Sequence, residues 1–170
     1  MTSDITYVAT NEGWLFVATV LDLCTRKIVG LAMRSDMTAG LVSEALEAAI
    51  ARRDLKPGMI VHSDRGVQYS SDAYRSIIAK HGFRPSMSRK GNCWDNAPME
   101  SFFKTMKVEL IYPQKQYHTQ REATTSIFEY IEIYYNRQRM HSALNYQSPE
   151  EFEATFTISS TSPRQKINCP

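Results

Sequence analysis

Met59-Ile60-Val61-His62-Ser63-Asp64-Arg65-Gly66 is a short apolar run that ends abruptly in an acidic, glycine-containing turn. It lacks helical spacing and fits a buried strand, with Asp64 at the mouth of the turn that follows. Upstream, Thr38 is placed to cap a helix whose Leu41, Val42, Ala45, Leu46, Ala49 and Ile50 fall at helical spacing, and Pro57-Gly58 closes that unit. Downstream, Ser71 is placed to cap a second helix carrying Tyr74, Ile77 and Ile78, which stops at His81-Gly82. A strand set between two amphipathic helices belongs to a sheet with helices packed on it, which decides for an α/β arrangement.

Working outward, three β-rich runs come first: Ile5 to Thr10, Trp14 to Leu23 and Lys27 to Met33. Asn11-Glu12-Gly13 and Cys24-Thr25-Arg26 separate them, so they read as an antiparallel meander. Phe83 to Met87 is a further strand, which makes five, and Ser88-Arg89-Lys90-Gly91-Asn92 reads as a mobile basic loop. Asp95 or Asn96 then opens a helix through Met99, Phe102, Phe103, Met106 and Leu110. Thr119-Gln120-Arg121-Glu122 is a capping box for another, and Ser148-Pro149-Glu150-Glu151 opens a last short one. After Phe156 no apolar period remains, so residues 1–156 are expected to form one domain and 157–170 a disordered tail.

Composition narrows the classes. A chain of 170 residues, 42% of them hydrophobic, can bury one core. No apolar run approaches the roughly 18 to 20 residues of a membrane span, and the start has no signal-peptide pattern, so a cytoplasmic protein is expected. Cys24, Cys93 and Cys169 are odd in number, far apart and in no C-x-x-C pair, and are expected as free thiols. The net charge of +2 is small but unevenly spread: from Arg75 to Arg121 nine Lys and Arg face three acids, a local +6, while the flanking segments each sum to −2. The middle of the chain is a candidate phosphate-facing surface.

Phosphoryl transfer assisted by two metals needs carboxylates converging on one spot, because Mg²⁺ prefers hard oxygen ligands and takes only a few from protein. Asp4 starts the first strand, Asp64 ends the fourth, and Glu100 sits in the first turn of the later helix. With strand four beside strand one, all three would meet at one sheet edge. Taken singly, Asp64 also fits a turn residue, and Glu100 a helix acid favoured by the dipole. Asp22, Asp72 and Asp95 fit structural positions, and His62 fits a packing residue.

The surrounding motifs are more specific. Asp4-Ile5-Thr6-Tyr7, His62-Ser63-Asp64-Arg65-Gly66, Ser86 to Asn92, Asp95-Asn96-Ala97-Pro98-Met99-Glu100-Ser101-Phe102-Phe103, Tyr134-Tyr135-Asn136 with Arg139 and His141, and Ser148-Pro149 resemble the insertion-sequence transposases of the retroviral-integrase superfamily. Asp64 and Glu100 are 36 positions apart, the aspartate-to-glutamate spacing of that family. The resemblance runs from about Asp4 to Phe156. It implies an RNase H-like mixed five-stranded sheet flanked by helices, a catalytic and metal-binding triad of Asp4, Asp64 and Glu100, and two Mg²⁺ ions with Mn²⁺ as a substitute. It also implies DNA as partner, both element ends and target, and a homo-oligomer or a separate DNA-binding transposase subunit, with no membrane.

Glu100, Lys104 and Lys107 lie at i, i+4 and i+7, on a single helix face. One face thus carries a metal ligand and two cations, which resembles the catalytic-glutamate helix of retroviral integrases with its DNA-touching lysines. An ordinary Glu-Lys pair is the plain alternative. Arg89, Lys90, Arg139 and His141 complete the expected DNA-binding set. The resembling transposases carry a helical DNA-binding region upstream, whereas this sequence starts three residues before Asp4. The alternative function is therefore a truncated, non-catalytic transposase fragment that binds DNA or a transposase subunit. A stand-alone nuclease for RNA–DNA hybrids is a third reading, disfavoured by the blocks after Pro85.

Overall fold

The computed structural model describes residues 1–88, 96–114 and 116–160. Strands β1 (Thr2–Thr10), β2 (Gly13–Leu21) and β3 (Ile28–Arg34) form the expected meander. Helix α1 (Ala39–Arg52) leads to β4 (Ile60–Ser63), and helix α2 (Asp72–Lys80) to β5 (Arg84–Met87). Helix α3 (Ala97–Met106) runs on into a π-helical turn at Lys107–Ile111. Helix α4 (Gln120–Glu129) continues in the same way into a π-helical stretch at Tyr130–Tyr135, and α5 (Pro149–Ser160) comes last. The sheet order is β3-β2-β1-β4-β5, with the first three strands antiparallel and β4 and β5 parallel to β1. This is the mixed five-stranded sheet flanked by helices that the motifs imply.

Both faces of the sheet are covered, and the period of two along β2 sorts its residues between them. Leu15, Val17 and Leu21 join Val8 and pack on Met99, Phe102, Phe103 and Met106 of α3 and on Ala123 and Ile127 of α4. Ala18 and Val20 face the other way, with Val29 and Ala32, onto Leu41, Val42, Ala45, Leu46 and Ala49 of α1 and onto α2. Each fully buried Leu, Val or Phe contributes about 1.5 to 3 kcal/mol of transfer free energy, so the first of these layers holds α3 against the sheet and the second holds α1 and α2. Asn136 fastens the far end: its Oδ1 accepts from Ile28 N at 2.9 Å and its Nδ2 donates to Ile28 O at 3.0 Å, as a neighbouring strand would. Helix α5 is pinned by Lys27 Nζ on Glu153 Oε2 at 2.8 Å.

Local signals read from the sequence reappear with their chemistry. Ser71 Oγ accepts from Tyr74 N at 3.3 Å, and Thr119 Oγ1 from Glu122 N at 3.1 Å. Three points differ from expectation. The helix expected through Leu110 widens after Met106, because the π-helical turn inserts a residue into the α ladder. Helix α5 extends to Ser160, into the stretch expected as tail, and the rest of that stretch, 161–170, lies outside the described residues. Cys24, expected as a free thiol, is disulfide-bonded. Pairing of thiols far apart in sequence is set by tertiary proximity, which spacing does not report. Among the described residues no helix is long and apolar enough to cross a membrane.

Candidate active site

The parallel pairing of β1 with β4 aligns Thr2 with His62 and Ser3 with Ser63. Asp4 follows the last of these pairs on β1 and Asp64 follows it on β4, at the point where β4 ends and its chain turns away. Asp64 is held in its turn by Gly66 N, which donates to Asp64 Oδ1 at 2.8 Å. Asp4 Oδ1 accepts from Ile5 N at 2.8 Å, and its Oδ2 accepts from Asn96 Nδ2 at 2.7 Å. Glu100 lies exposed in the first turn of α3.

Electrostatics tie the three acids together. The Asp4 carboxyl is pushed up to about 6, first by burial and then by the negative charges of Asp64 and Glu100, against the lowering effect of its hydrogen bonds. Among the described residues no Lys, Arg or His forms an ion pair with any of the three. Nor are three acid, His or Cys side chains, among the described residues, drawn tightly enough together to enclose one ion. The donors are hard oxygens and their negative charge is uncompensated, so the residues present fit a divalent cation.

Asp64 and Glu100 are both near enough to Asp4 to act on its charge, whereas the rival acids are engaged elsewhere or not described. Asp22 Oδ1 accepts from Cys24 N at 2.9 Å in the β2–β3 turn, with Arg53 Nη1 3.3 Å from its Oδ2. Asp72 is the first residue of α2, and Asp95 lies outside the described residues. His62 has a hydroxyl at each ring nitrogen, Ser86 at 3.0 Å and Ser88 at 3.1 Å, which fits its reading as a packing residue.

The expected DNA-binding residues fare differently. Arg89 and Lys90 lie outside the described residues. Lys104 is exposed one turn beyond Glu100. Lys107 instead sets its ammonium 5.3 Å from the centre of the Tyr7 ring. Arg139 Nε meets both oxygens of Glu109 at 3.0 Å, and its Nη2 lies 2.9 Å from Glu109 Oε1. His141 packs edge-on to Tyr135 at 4.9 Å and is held down to about 4, mainly by burial and then by the charges of Arg139 and Arg26.

Sequence reading missed the role of Asn96. Its side chain makes no cap hydrogen bond, although it stands at the N-cap of α3. An N-cap side chain accepts from the second or third helical N–H, and Pro98, the second, has none. The amide instead bridges Thr2, whose Oγ1 donates to Asn96 Oδ1 at 3.1 Å, and Asp4. A capping residue followed by Ala-Pro was the available signal.

Two family models, both described as integrase core domain, match residues 1–93 and 81–149. The transposase for insertion sequence element IS904 of Lactococcus lactis is 50% identical over 150 residues, covering 88% of this chain and 59% of that protein. The transposase InsF for insertion sequence IS3A of Escherichia coli K12 is 46% identical over 150 residues, covering 88% of this chain and 52% of its own length. The chain thus spans between half and three fifths of these relatives. Among solved structures, the catalytic core domain of BIV integrase superposes with a TM-score of 0.64 at 14% identity, over 95% of this chain and 98% of that one. The HTLV-2 integrase catalytic core domain, solved in complex with magnesium, gives 0.63 at 9% identity, over 89% and 93%. These structural likenesses establish the fold, and the sequence matches go further: the chain belongs to the integrase core family, among the insertion-sequence transposases.

Proposed function

We propose that residues 1–156 are a phosphoryl-transfer core that cuts and rejoins DNA, with Asp4, Asp64 and Glu100 as its catalytic, metal-binding residues. The observation that carries the reading is that Asp4 and Asp64 each directly follow the last paired residues of two neighbouring parallel strands, with Asp64 and Glu100 close enough to raise the Asp4 carboxyl. Two Mg²⁺ ions, or Mn²⁺ in their place, would supply nucleophile activation and stabilise the leaving oxygen. The reaction is in-line attack on a DNA phosphodiester, by water to free a 3′-hydroxyl, then by that hydroxyl on a second phosphodiester. The P–O bond to the departing 3′-oxygen breaks as the new one forms, so no covalent enzyme intermediate is required.

The protein's part is positioning and charge. The β1–β4 register spaces the two aspartates, α3 carries Glu100, and Asn96 orients Asp4. Lys104, exposed on the Glu100 face, is the cation best placed to meet the strand being cut. The partners are element-end and target DNA, together with further copies of the chain or a separate DNA-binding subunit. The test is incubation of purified protein with the element's DNA ends and Mg²⁺ or Mn²⁺. Metal-dependent nicking at the ends and joined products are expected. DNA binding without cleavage, where the full-length relative does cleave, would overturn this reading in favour of a non-catalytic fragment.

A further inference from the structure

About 100° round α3 from Glu100, a cleft of about 640 Å³ opens between that helix, the β2–β3 turn and the chain around residues 139 to 146. Arg26, Ser101, Thr105, Arg139, His141 and Tyr146 are among its lining residues. Arg26 closes the β2–β3 turn: Asp22 N donates to Lys27 O at 2.9 Å, and Arg26 N to Asp22 O at 2.8 Å. It does so in the left-handed region, at φ 59, where glycine is the ordinary residue. A large side chain kept at a strained turn position points towards a use for that side chain.

Arg26 has no acidic partner among the described residues, and its Nε is buried without a hydrogen bond. The second guanidinium in the cleft, Arg139, is already engaged by Glu109. His141 Nε2 is likewise buried without a partner. Among the described residues the cleft therefore holds one uncompensated positive charge beside hydroxyl groups of α3, a donor set suited to a phosphodiester oxygen. At the rim, Tyr146 and its neighbour Asn145 are both left-handed, at φ 58 and 54, and Tyr146 is 72% exposed. An exposed ring beside a cationic groove is the usual platform for an unpaired base.

We propose that this cleft takes one nucleotide of a DNA strand passing the carboxylates, with the Arg26 guanidinium on its phosphodiester and the Tyr146 ring against its base. The proposal rests on the reading of the chain as a DNA-processing core, but its test needs no catalysis. A fluorescent single-stranded oligonucleotide is titrated with the whole chain, divalent ions omitted, over a range of chloride concentrations. Arg26→Gly should lower the slope of log affinity against log salt by about 0.7, while the thermal midpoint holds or rises because glycine relieves the turn. Arg26→Lys should restore most of the slope. Tyr146→Ala should weaken binding by about tenfold or more with the slope unchanged.

An unaltered slope in Arg26→Gly would overturn the phosphate contact. Displacement of the oligonucleotide by inorganic phosphate at matched ionic strength, with Tyr146→Ala silent, would show a simple anion site and overturn the nucleotide reading. Failure of metal-dependent cleavage with these binding effects intact would sink the catalytic reading and leave the cleft standing.

Discussion

Asn96 Nδ2 donates to Asp4 Oδ2 at 2.7 Å, joining the N-cap of α3 to the start of β1. The same amide accepts from Thr2, so one side chain sets where the Glu100 helix begins relative to the Asp4 strand. Asn96→Ala removes both bonds and leaves a half-buried carboxylate short of a donor. A loss of about 1 to 3 kcal/mol is expected in urea unfolding without divalent ions. Added Mn²⁺ should narrow the gap to the parent chain, since a cation supplies the compensation that the amide gave. Asn96→Asp should be worse than Ala without metal, because it puts a like charge on Asp4. Equal stability of Asn96→Ala and the parent would show the contact to be idle.

Asp64→Asn keeps the Oδ1 acceptor for Gly66 N and removes only the charge. Folding should be nearly unchanged by circular dichroism. Cleavage should fall by roughly a thousandfold, the equivalent of several kcal/mol of metal-derived stabilisation. Undiminished cleavage would remove Asp64 from the site.

The two lysines of α3 should separate. Lys104 is exposed, so Lys104→Ala should reduce the salt slope of duplex binding by about 0.9 with little change in stability. Lys107 rests on Tyr7, so Lys107→Ala should cost about 0.5 to 1 kcal/mol and alter the slope less. A double-log plot for each single variant, with urea midpoints, checks both. Equal slopes in Lys104→Ala and the parent would make Lys104 plain solvated surface.

His141 makes stability depend on acid. Burial and the charges of Arg139 and Arg26 lower it from 6.5 to about 4. In the unfolded chain it binds a proton near pH 6.5 that the folded protein accepts only near 4. The folded state is therefore fully favoured above about pH 6.5 and loses stability as the pH falls towards 4. Unfolding free energies across that window should fall less steeply in His141→Gln. An identical pH slope in the variant would exclude His141 as the source.

Gly30 allows α1 to lie against β3. A Cβ at that position would stand 2.1 Å from Ala45 O, 3.0 Å from Ala49 Cβ and 3.1 Å from Val20 Cβ. The nearest of these is backbone, which cannot swing aside. Gly30→Ala should cost about 3 kcal/mol or more, read from the urea midpoint. A cost under about 1 kcal/mol would mean that α1 is free to move.

What is local in this protein was legible in its residues. Alternating apolar residues in β1 to β3, the caps at Ser71 and Thr119, and the apolar run into Asp64 all follow from backbone sterics and short-range hydrogen bonding. The motifs around Asp4, Asp64 and Glu100 named the three acids by resemblance. Tertiary structure alone decided the partners. Only the β1–β4 pairing, which ends at Ser3 and Ser63, brings the next residues Asp4 and Asp64 near each other, and nothing in either strand's composition states which strand will be its neighbour. Asn96 read as a cap and became the Asp4 donor, since Pro98 offers no N–H and β1 brings Thr2 and Asp4 within reach. Arg139 read as a DNA cation and is held by Glu109, 30 residues away. Charged and polar side chains take whatever complementary group the packed fold brings within about 3 Å, and that distance is set by the whole chain.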